Sequence, residues 1–390
     1  WLKLCVMWHS FATGVFGALH CSSQDLTLWV SQSHAAPGYH VVCLAESDTC
    51  GASGCETALM RAFWGGHKDA EEEWTAPRPR TLKSLEQEIV SRRTPANPDR
   101  HNRLDTLRKD AGAGVFSFFR LPEATGAPPE ELTELPTGDQ AVLVFEGGSF
   151  VWPGVQVGFE RNLTIGDHDL TLLTKSLRPL VLEVSNFLTE RECNHIIHKA
   201  SPFIKKSTVS HMDHDVGKPD ANWRTSSTYF MPSDDNTLRT LDQRVMRLTR
   251  LPVNHQEYAQ VLRYSPGENY VAHHDYFDLR NYARNEQIIS MTNSGLFNRL
   301  ATVFFYLTTV ESGGHTNFPR AGGLPQPSDF ADCSRGVSVA PRQGRVVVFY
   351  SLHPSGQLDE LSLHGGCKPE VGTKWSANKW IWNKEMGYLG

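Results

Sequence analysis

The chain has 390 residues, 39% apolar and 21% charged, with a formal net charge of −5. That composition belongs to a globular chain with enough length for one large domain or two ordinary ones and a substantial core. The acidic balance excludes a nucleic-acid role driven by bulk electrostatics.

Residues 1–20, WLKLCVMWHSFATGVFGALH, are apolar with one early lysine, and the run from Leu4 to Leu19 is interrupted by His9, Ser10 and Thr13. The run is short for a membrane span. It fits the core of a signal peptide or signal anchor, or equally a fragment of some upstream element. Residues 21–139 form an N-terminal region of undefined character. Two segments there have helical spacing, 81–93 and 100–111, among linkers rich in Pro and Gly. Five of the eight cysteines, Cys5, Cys21, Cys43, Cys50 and Cys55, lie before residue 60, and no CxxC spacing suggests a zinc site. Cys50 and Cys55 bracket GASG and could close a small loop. From Gln140 to Arg178 the pattern turns to alternating apolar residues around Gly147-Gly148, which reads as a β-hairpin lead-in. The sequon Asn162-Leu163-Thr164 lies in this stretch and is compatible with a glycosylated secretory protein.

A third region, 179–384, carries the clearest pattern. LVLEVSNF reads as a strand, and TERECNHIIHKA as a helix with Thr189 and Glu192 as its capping box. A second helix follows in DDNTLRTLDQRVMRLTRL, with Leu238, Leu241, Val245 and Leu248 on one stripe. Between the helices lies a polar loop. Thereafter the segments EYAQVLRYS, NYVAHHDYF, LATVFFYLTTV, TNFP, GVSVAP, RVVVFYS and SANKWIWN are short strands divided by Gly and Pro turns. Helices first and then seven or eight strands predict an α+β chain: a double-stranded β-helix (jelly roll) backed by helices.

The chemistry concentrates in YVAHHDYFD, where His273 and Asp275 are separated by one residue, and in SLHGGC, which carries His364. An HxD pair on a strand puts both side chains on one face. Two histidines and one carboxylate form the facial triad that holds non-haem Fe(II) and leaves positions open for O2 and a chelating co-substrate. The ligand strand and His364 are expected to face each other in the barrel mouth. Lys374 follows and offers a cation for a carboxylate in a partly dry site. Cys333 and Cys367 flank the His364 region, either bonded in an oxidising compartment or present as two buried thiols. A second HxD in HMDHD (211–215) and His168 in GDHD lack the further His and Lys and read as solvated loop residues.

From about Leu180 to Asn383 the chain resembles the prolyl 4-hydroxylase family of Fe(II)- and 2-oxoglutarate-dependent dioxygenases, of the collagen, plant and algal type. The resemblance rests on QVLRYSPGENYVAHHDYF, RLATVFFYLTTVESGGHTNFP, GVSVAPRQGRVVVFYSLHPSG and LSLHGGCKPEVGTKWSANKWIW, in that order. It implies Fe(II) on His273, Asp275 and His364, and 2-oxoglutarate on Lys374 with the hydroxyls of Tyr264 and Thr316. Lysine rather than arginine at 374 favours this branch of the oxygenases. The resemblance further implies a peptide groove lined by Tyr270, Arg299 and Trp380, suited to proline-rich peptides in extended helical form. The implied reaction is hydroxylation of peptidyl proline with O2, releasing succinate and CO2, with ascorbate as reductant, in the endoplasmic reticulum or secretory pathway. Membrane association would come only through an N-terminal anchor. One departure is that many relatives have Trp-x-His where this chain has Trp380-Ile381-Trp382, which puts the peptide preference in doubt. The segment 278–298 and the loop 209–225 are lid candidates. Two other readings remain: the same iron chemistry on another peptide residue or a small molecule, and a non-catalytic jelly-roll binding module.

Overall fold

The computed structural model describes residues 157–386 throughout. Before them it describes 39–46, 57–63, 71–79, 84–85, 87–89, 117–121, 140–145, 149–152 and 154. The proposed signal segment, the Cys50–Cys55 loop and the helix at 100–111 lie outside the described residues; the helix at 81–93 is described in part, as helical residues within 84–89.

The N-terminal region contains an antiparallel sheet. Its strands are β1 (Tyr39–Glu46), β2 (Thr57–Phe63), β3 (Glu71–Pro77), β4 (Ser117–Leu121) and β5 (Gln140–Phe145), in the order β3-β2-β1-β5-β4. Alternate residues Val42 and Leu44, Ala58 and Met60, and Trp74 and Ala76 pack with Leu85 and Ile89 into a small core. The indole of Trp74 donates to Glu88 at 3.0 Å.

This sheet corrects the expected hairpin. Gln140–Phe145 pairs with β1 and β4 rather than with the residues after Gly148. The alternation was real, but alternation specifies a strand and not its partner. Phe150, Val151 and Trp152 belong instead to the main core of the following region. The backbone N–H of Trp152 donates to the Tyr350 hydroxyl at 3.0 Å, and its indole N–H donates to the Leu248 carbonyl at 2.8 Å. The boundary at 179 is displaced as well. β6 (Glu160–Ile165) and β7 (His168–Leu177) form a hairpin that joins β8 (Leu180–Ser185) in the large sheet.

That sheet has nine strands in the order β6-β7-β8-β17-β13-β20-β11-β10-β9. Its further members are β9 (Lys205–Lys206), β10 (Ser227–Met231), β11 (Ala259–Tyr264), β13 (Arg299–Tyr306), β17 (Val346–Tyr350) and β20 (Lys374–Trp382). A smaller sheet stacks β12 (Tyr270–His273), β18 (His364–Gly366), β15 (Thr316–Phe318) and β16 (Val337–Val339) in the order β12-β18-β15-β16. A two-residue strand β14 (Ser312–Gly313) pairs with β19 (Pro369–Val371). Along the chain the strands pass from the large sheet to the small one and back: β11, β12, β13, β15 and β16, β17, β18, β20. That alternation is the double-stranded β-helix, as expected.

The period of two along each strand decides what lines the barrel. On β13, Ala301, Val303 and Phe305 face the helix-covered core, while Phe304 and Tyr306 face inward. The same split puts Val346 and Val348 outward and Val347 and Phe349 inward on β17. Strands covered on both faces must be apolar throughout, which is why RVVVFY reads as an unbroken run. The outer cover is α1 (Glu190–Ala200) and α2 (Asn236–Thr249). Thr189 and Glu192 make the expected capping box. Asp235 caps α2 through the Leu238 N–H at 2.9 Å. The predicted stripe Leu238, Leu241, Val245 and Leu248 is buried. Arg244 clamps the two helices by donating to Glu192 at 2.8 and 3.0 Å and to the Phe187 carbonyl at 2.6 Å.

Trp152 tests the revised boundary. Its side chain is buried against the core. Trp152→Ala should lower unfolding free energy by about 3–5 kcal/mol in chemical denaturation. A change below about 1 kcal/mol would show that the segment is dispensable and that the domain begins later.

Candidate metal and co-substrate site

β12 and β18 are neighbours in the small sheet, with His273 directly opposite His364 in register. The ligand strand and His364, expected to face each other in the barrel mouth, therefore meet as register partners on adjacent strands of one sheet. The strand ends at His273, so Asp275 sits just beyond it. Gly365 permits the close approach: a Cβ there would lie 3.1 Å from the Ala272 nitrogen and 3.1 Å from the Tyr270 carbonyl oxygen.

The ligand-type atoms of His273, Asp275 and His364 all lie within 4.8 Å of one another, the one such group among the described residues. His273 Nε2 is 3.7 Å from Asp275 Oδ1, and His364 Nε2 is 3.5 Å from Asp275 Oδ2. Each imidazole donates its Nδ1–H to a carbonyl, His273 to Val271 at 2.8 Å and His364 to Ser362 at 2.9 Å. Those bonds fix the tautomer that leaves Nε2 free as the ligand atom. Burial and the nearby His364 push the His273 imidazole down to about 3, so it is neutral, as a metal ligand must be. Burial alone would raise the Asp275 carboxyl. The Arg299 charge and the Thr302 hydroxyl are among the influences that hold the group below its ordinary value. Thr302 Oγ1 donates to Asp275 Oδ2 at 2.6 Å. A donor set of two imidazoles, each with its Nε2 left open, and one carboxylate fits Fe(II).

Lys374 opens β20 opposite Tyr264 and is 1% exposed. Its ammonium lies 5.3, 5.2 and 5.6 Å from the ring centroids of Tyr264, Phe304 and Tyr306. It has no hydrogen-bond partner among the described residues. Burial pulls its pKa down to about 7. A buried ammonium with three unused donors is costly unless an anion completes it, so the pocket fits one carboxylate of 2-oxoglutarate. Tyr264 and Thr316 are both buried. The Thr316 hydroxyl accepts from the Tyr306 hydroxyl at 2.8 Å.

Tyr270 stacks on His273 with ring centroids 3.6 Å apart, and the Arg224 guanidinium lies 4.6 Å from its ring centre. Burial raises the Tyr270 phenol well above its ordinary value. Arg299 is held by Glu257 at 2.6 and 2.9 Å and lies 3.5 Å from the Trp380 ring centroid. No local sequence pattern marks Thr302, Tyr306, Arg224 or Glu257. Thr302 shares strand parity with Phe304 and Tyr306, but only the tertiary contact with Asp275 reveals its part.

Cys333 and Cys367 are disulfide-bonded. The decoy histidines take no part in the triad. His168 Nδ1 contacts the Asn186 carbonyl at 2.9 Å. His211 is a loop clasp rather than a freely solvated residue: it pairs with Asp220 at 3.0 Å and meets Trp223 edge-on at 5.2 Å. The two lid candidates are docked on each other. The Asp213 N–H donates to the Asn281 carbonyl at 2.8 Å, and the Arg284 N–H to Asp213 Oδ2 at 3.0 Å. The second lid contains a short helix, α3 (Glu286–Met291).

A sequence model of the 2OG-Fe(II) oxygenase superfamily matches residues 259–382, the stretch that holds the triad and Lys374. The chain is thus a 2-oxoglutarate-dependent dioxygenase. It is 40% identical over 213 residues to "Probable prolyl 4-hydroxylase 10" of Arabidopsis thaliana, covering 53% of this chain and 70% of that one. With "Probable prolyl 4-hydroxylase 8" of the same plant it shares 37% identity over 278 residues, covering 69% of this chain and 86% of the other. The chain belongs to the prolyl 4-hydroxylase family. A viral collagen prolyl hydroxylase from Paramecium Bursaria Chlorella virus-1 aligns in structure over 52% of this chain and 95% of its own, at 23% identity and a TM-score of 0.34.

Two outcomes follow from this geometry. Thr302→Val removes the hydroxyl that orients Asp275 and should weaken Fe(II) binding about tenfold or more in competition with a chelator; unchanged affinity would leave Thr302 no such part. Free Lys374 titrates near 7, whereas a bound carboxylate favours its charged form. Affinity for 2-oxoglutarate, measured anaerobically with Mn(II), should therefore fall with rising pH by up to about tenfold per unit above 7. Lys374→Met should bind weakly and without that slope. A flat profile from pH 7 to 9 in the intact chain would contradict the assignment.

Proposed function

We propose that this chain hydroxylates prolyl residues in proline-rich or collagen-like proteins, using Fe(II), 2-oxoglutarate and O2 and releasing succinate and CO2. The observation that carries the reading is a His-Asp-His triad together with a buried ammonium, Lys374, that has no partner among the described residues. The iron and 2-oxoglutarate supply the oxidising chemistry when bound. His273, Asp275 and His364 hold the metal, and Lys374, with Tyr264 and Thr316 close by, receives the distal carboxylate. Tyr270, Arg299 and Trp380 present a largely aromatic wall to the peptide, a surface that suits a proline ring. The docked loops around Asp213 and Arg284 keep water from the reacting atoms. Ascorbate serves as reductant in turnovers that do not modify a peptide.

We place the protein in the secretory pathway. The Cys333–Cys367 disulfide favours an oxidising compartment. The sequon residue Asn162 is exposed on β6, with Leu163 turned inward. Residues 1–20 serve as its signal or anchor, and membrane association depends on them. Among the described residues no helix is long and apolar enough to cross a membrane. A second reading keeps the iron chemistry but applies it to another peptide residue or a small molecule; it is favoured by Trp382, at a position where many members of the resembled family carry histidine.

Turnover with poly-proline and collagen-like peptides tests the proposal, with succinate and peptide mass followed together. Expected is one oxygen added to proline per succinate, lost in His364→Ala. Succinate without a modified peptide would point to another substrate. An intact chain that yields no succinate and binds neither Fe(II) nor 2-oxoglutarate would overturn it.

A further inference from the structure

Trp382 departs from the family pattern, and its surroundings show what the indole does there. It is fully buried, stacked on Phe277 with ring centroids 6.3 Å apart at 27°. Its Nε1–H donates to Glu257 Oε1 at 2.6 Å. The same carboxylate accepts from Arg299 Nε at 2.6 Å and, through Oε2, from Arg299 Nη2 at 2.9 Å. Glu257 is only 8% exposed. A carboxylate that deep requires donors, and a bidentate guanidinium with a third N–H supplies them. The Glu257 backbone N–H also donates to the Trp380 carbonyl at 2.9 Å.

The pairing fixes Arg299 in a definite plane. Its guanidinium carbon lies 3.5 Å from the Trp380 ring centroid and 5.0 Å from that of Phe277. Its Nη1 donates to the backbone carbonyl of Asp275 at 3.3 Å. Arg299 and Trp382 are also opposite each other in the β13–β20 register. The chain of contacts thus runs from the buried indole to the groove wall and to the segment that carries a metal-ligand candidate. The indole N–H of Trp380 is buried without a partner.

We propose that Glu257 and Trp382 form a positioning pair that holds Arg299 flat against Trp380 and so sets the shape of the peptide groove. This rests on the prolyl hydroxylation reading above. An indole has one donor and no acceptor, and the Trp382 donor is committed to Glu257. Position 382 therefore makes no polar contact with the peptide. Arg299 carries the polar recognition, so the groove selects by aromatic stacking and by acceptor groups on the peptide backbone.

Three variants test the pair. Trp382→Phe keeps the ring and removes the N–H, Glu257→Gln keeps the shape and removes the charge, and Trp382→His restores a donor. Calorimetric binding of a proline-rich peptide and steady-state kinetics are measured together with thermal melting. Expected for Trp382→Phe and Glu257→Gln is a rise of roughly tenfold in peptide Kd and KM, the size of one lost charge-assisted hydrogen bond. The KM for 2-oxoglutarate should stay within about twofold, since the bond lost serves the peptide groove. Trp382→His should recover most of the peptide affinity. Peptide Kd unchanged in both variants would overturn the proposal, as would parallel losses for peptide and 2-oxoglutarate with a lowered Tm, which mark a merely structural role. An intact chain that hydroxylates the peptide while the variants match it overturns only the positioning pair. An intact chain that binds no proline-rich peptide overturns the substrate reading and this inference together.

Discussion

The pairing of β12 with β18 is the constraint on which the site depends. It sets His273 opposite His364 across two adjacent backbones, and their Nδ1–H groups are tied to carbonyls two residues back in the chain, Val271 on β12 and Ser362 just before β18. Both imidazoles are thus aimed by local backbone geometry before any metal arrives. Asp275 then needs only one turn of chain beyond the strand to reach them, and Thr302 on the opposing sheet holds its second oxygen. A residue on β13 can do this because the two sheets enclose one interior. Residue parity on the large sheet selects which side chains enter it.

The same enclosure explains the contrast between the triad and Lys374. The triad has each imidazole Nδ1–H on a carbonyl and Asp275 Oδ2 on Thr302, while Lys374 lies among aromatic rings with no hydrogen-bond partner among the described residues. A folded chain retains such a group where a ligand completes it. The Cys333–Cys367 bridge and the Asn317 side chain brace the loop beside β18. Asn317 Nδ2 donates to the Arg335 carbonyl at 2.7 Å and to Ser338 Oγ at 2.9 Å.

Much of this was legible in sequence because the signals are local. The HxD spacing, the Thr189–Glu192 box and the α2 stripe each depend on residues a few positions apart. The apolar runs of β13 and β17 likewise announce strands covered on both faces. What sequence could not supply was pairing. Gln140–Phe145 has the alternation of a hairpin arm, yet its partners are β1 and β4, far away in the chain. β18 is three residues, two of them glycine, with no strand propensity of its own; register beside β12 makes it a strand. Glu257 and Thr302 are ordinary polar residues until Trp382, Arg299 and Asp275 close around them.

The most direct test of the account is anomalous diffraction from crystals grown with Mn(II) and 2-oxoglutarate in the absence of O2. The site geometry requires one metal peak bounded by His273, Asp275 and His364, with the distal carboxylate of 2-oxoglutarate on Lys374 Nζ. A metal held elsewhere, for example by His211 and Asp220, or a co-substrate that leaves Lys374 unpaired, would contradict it.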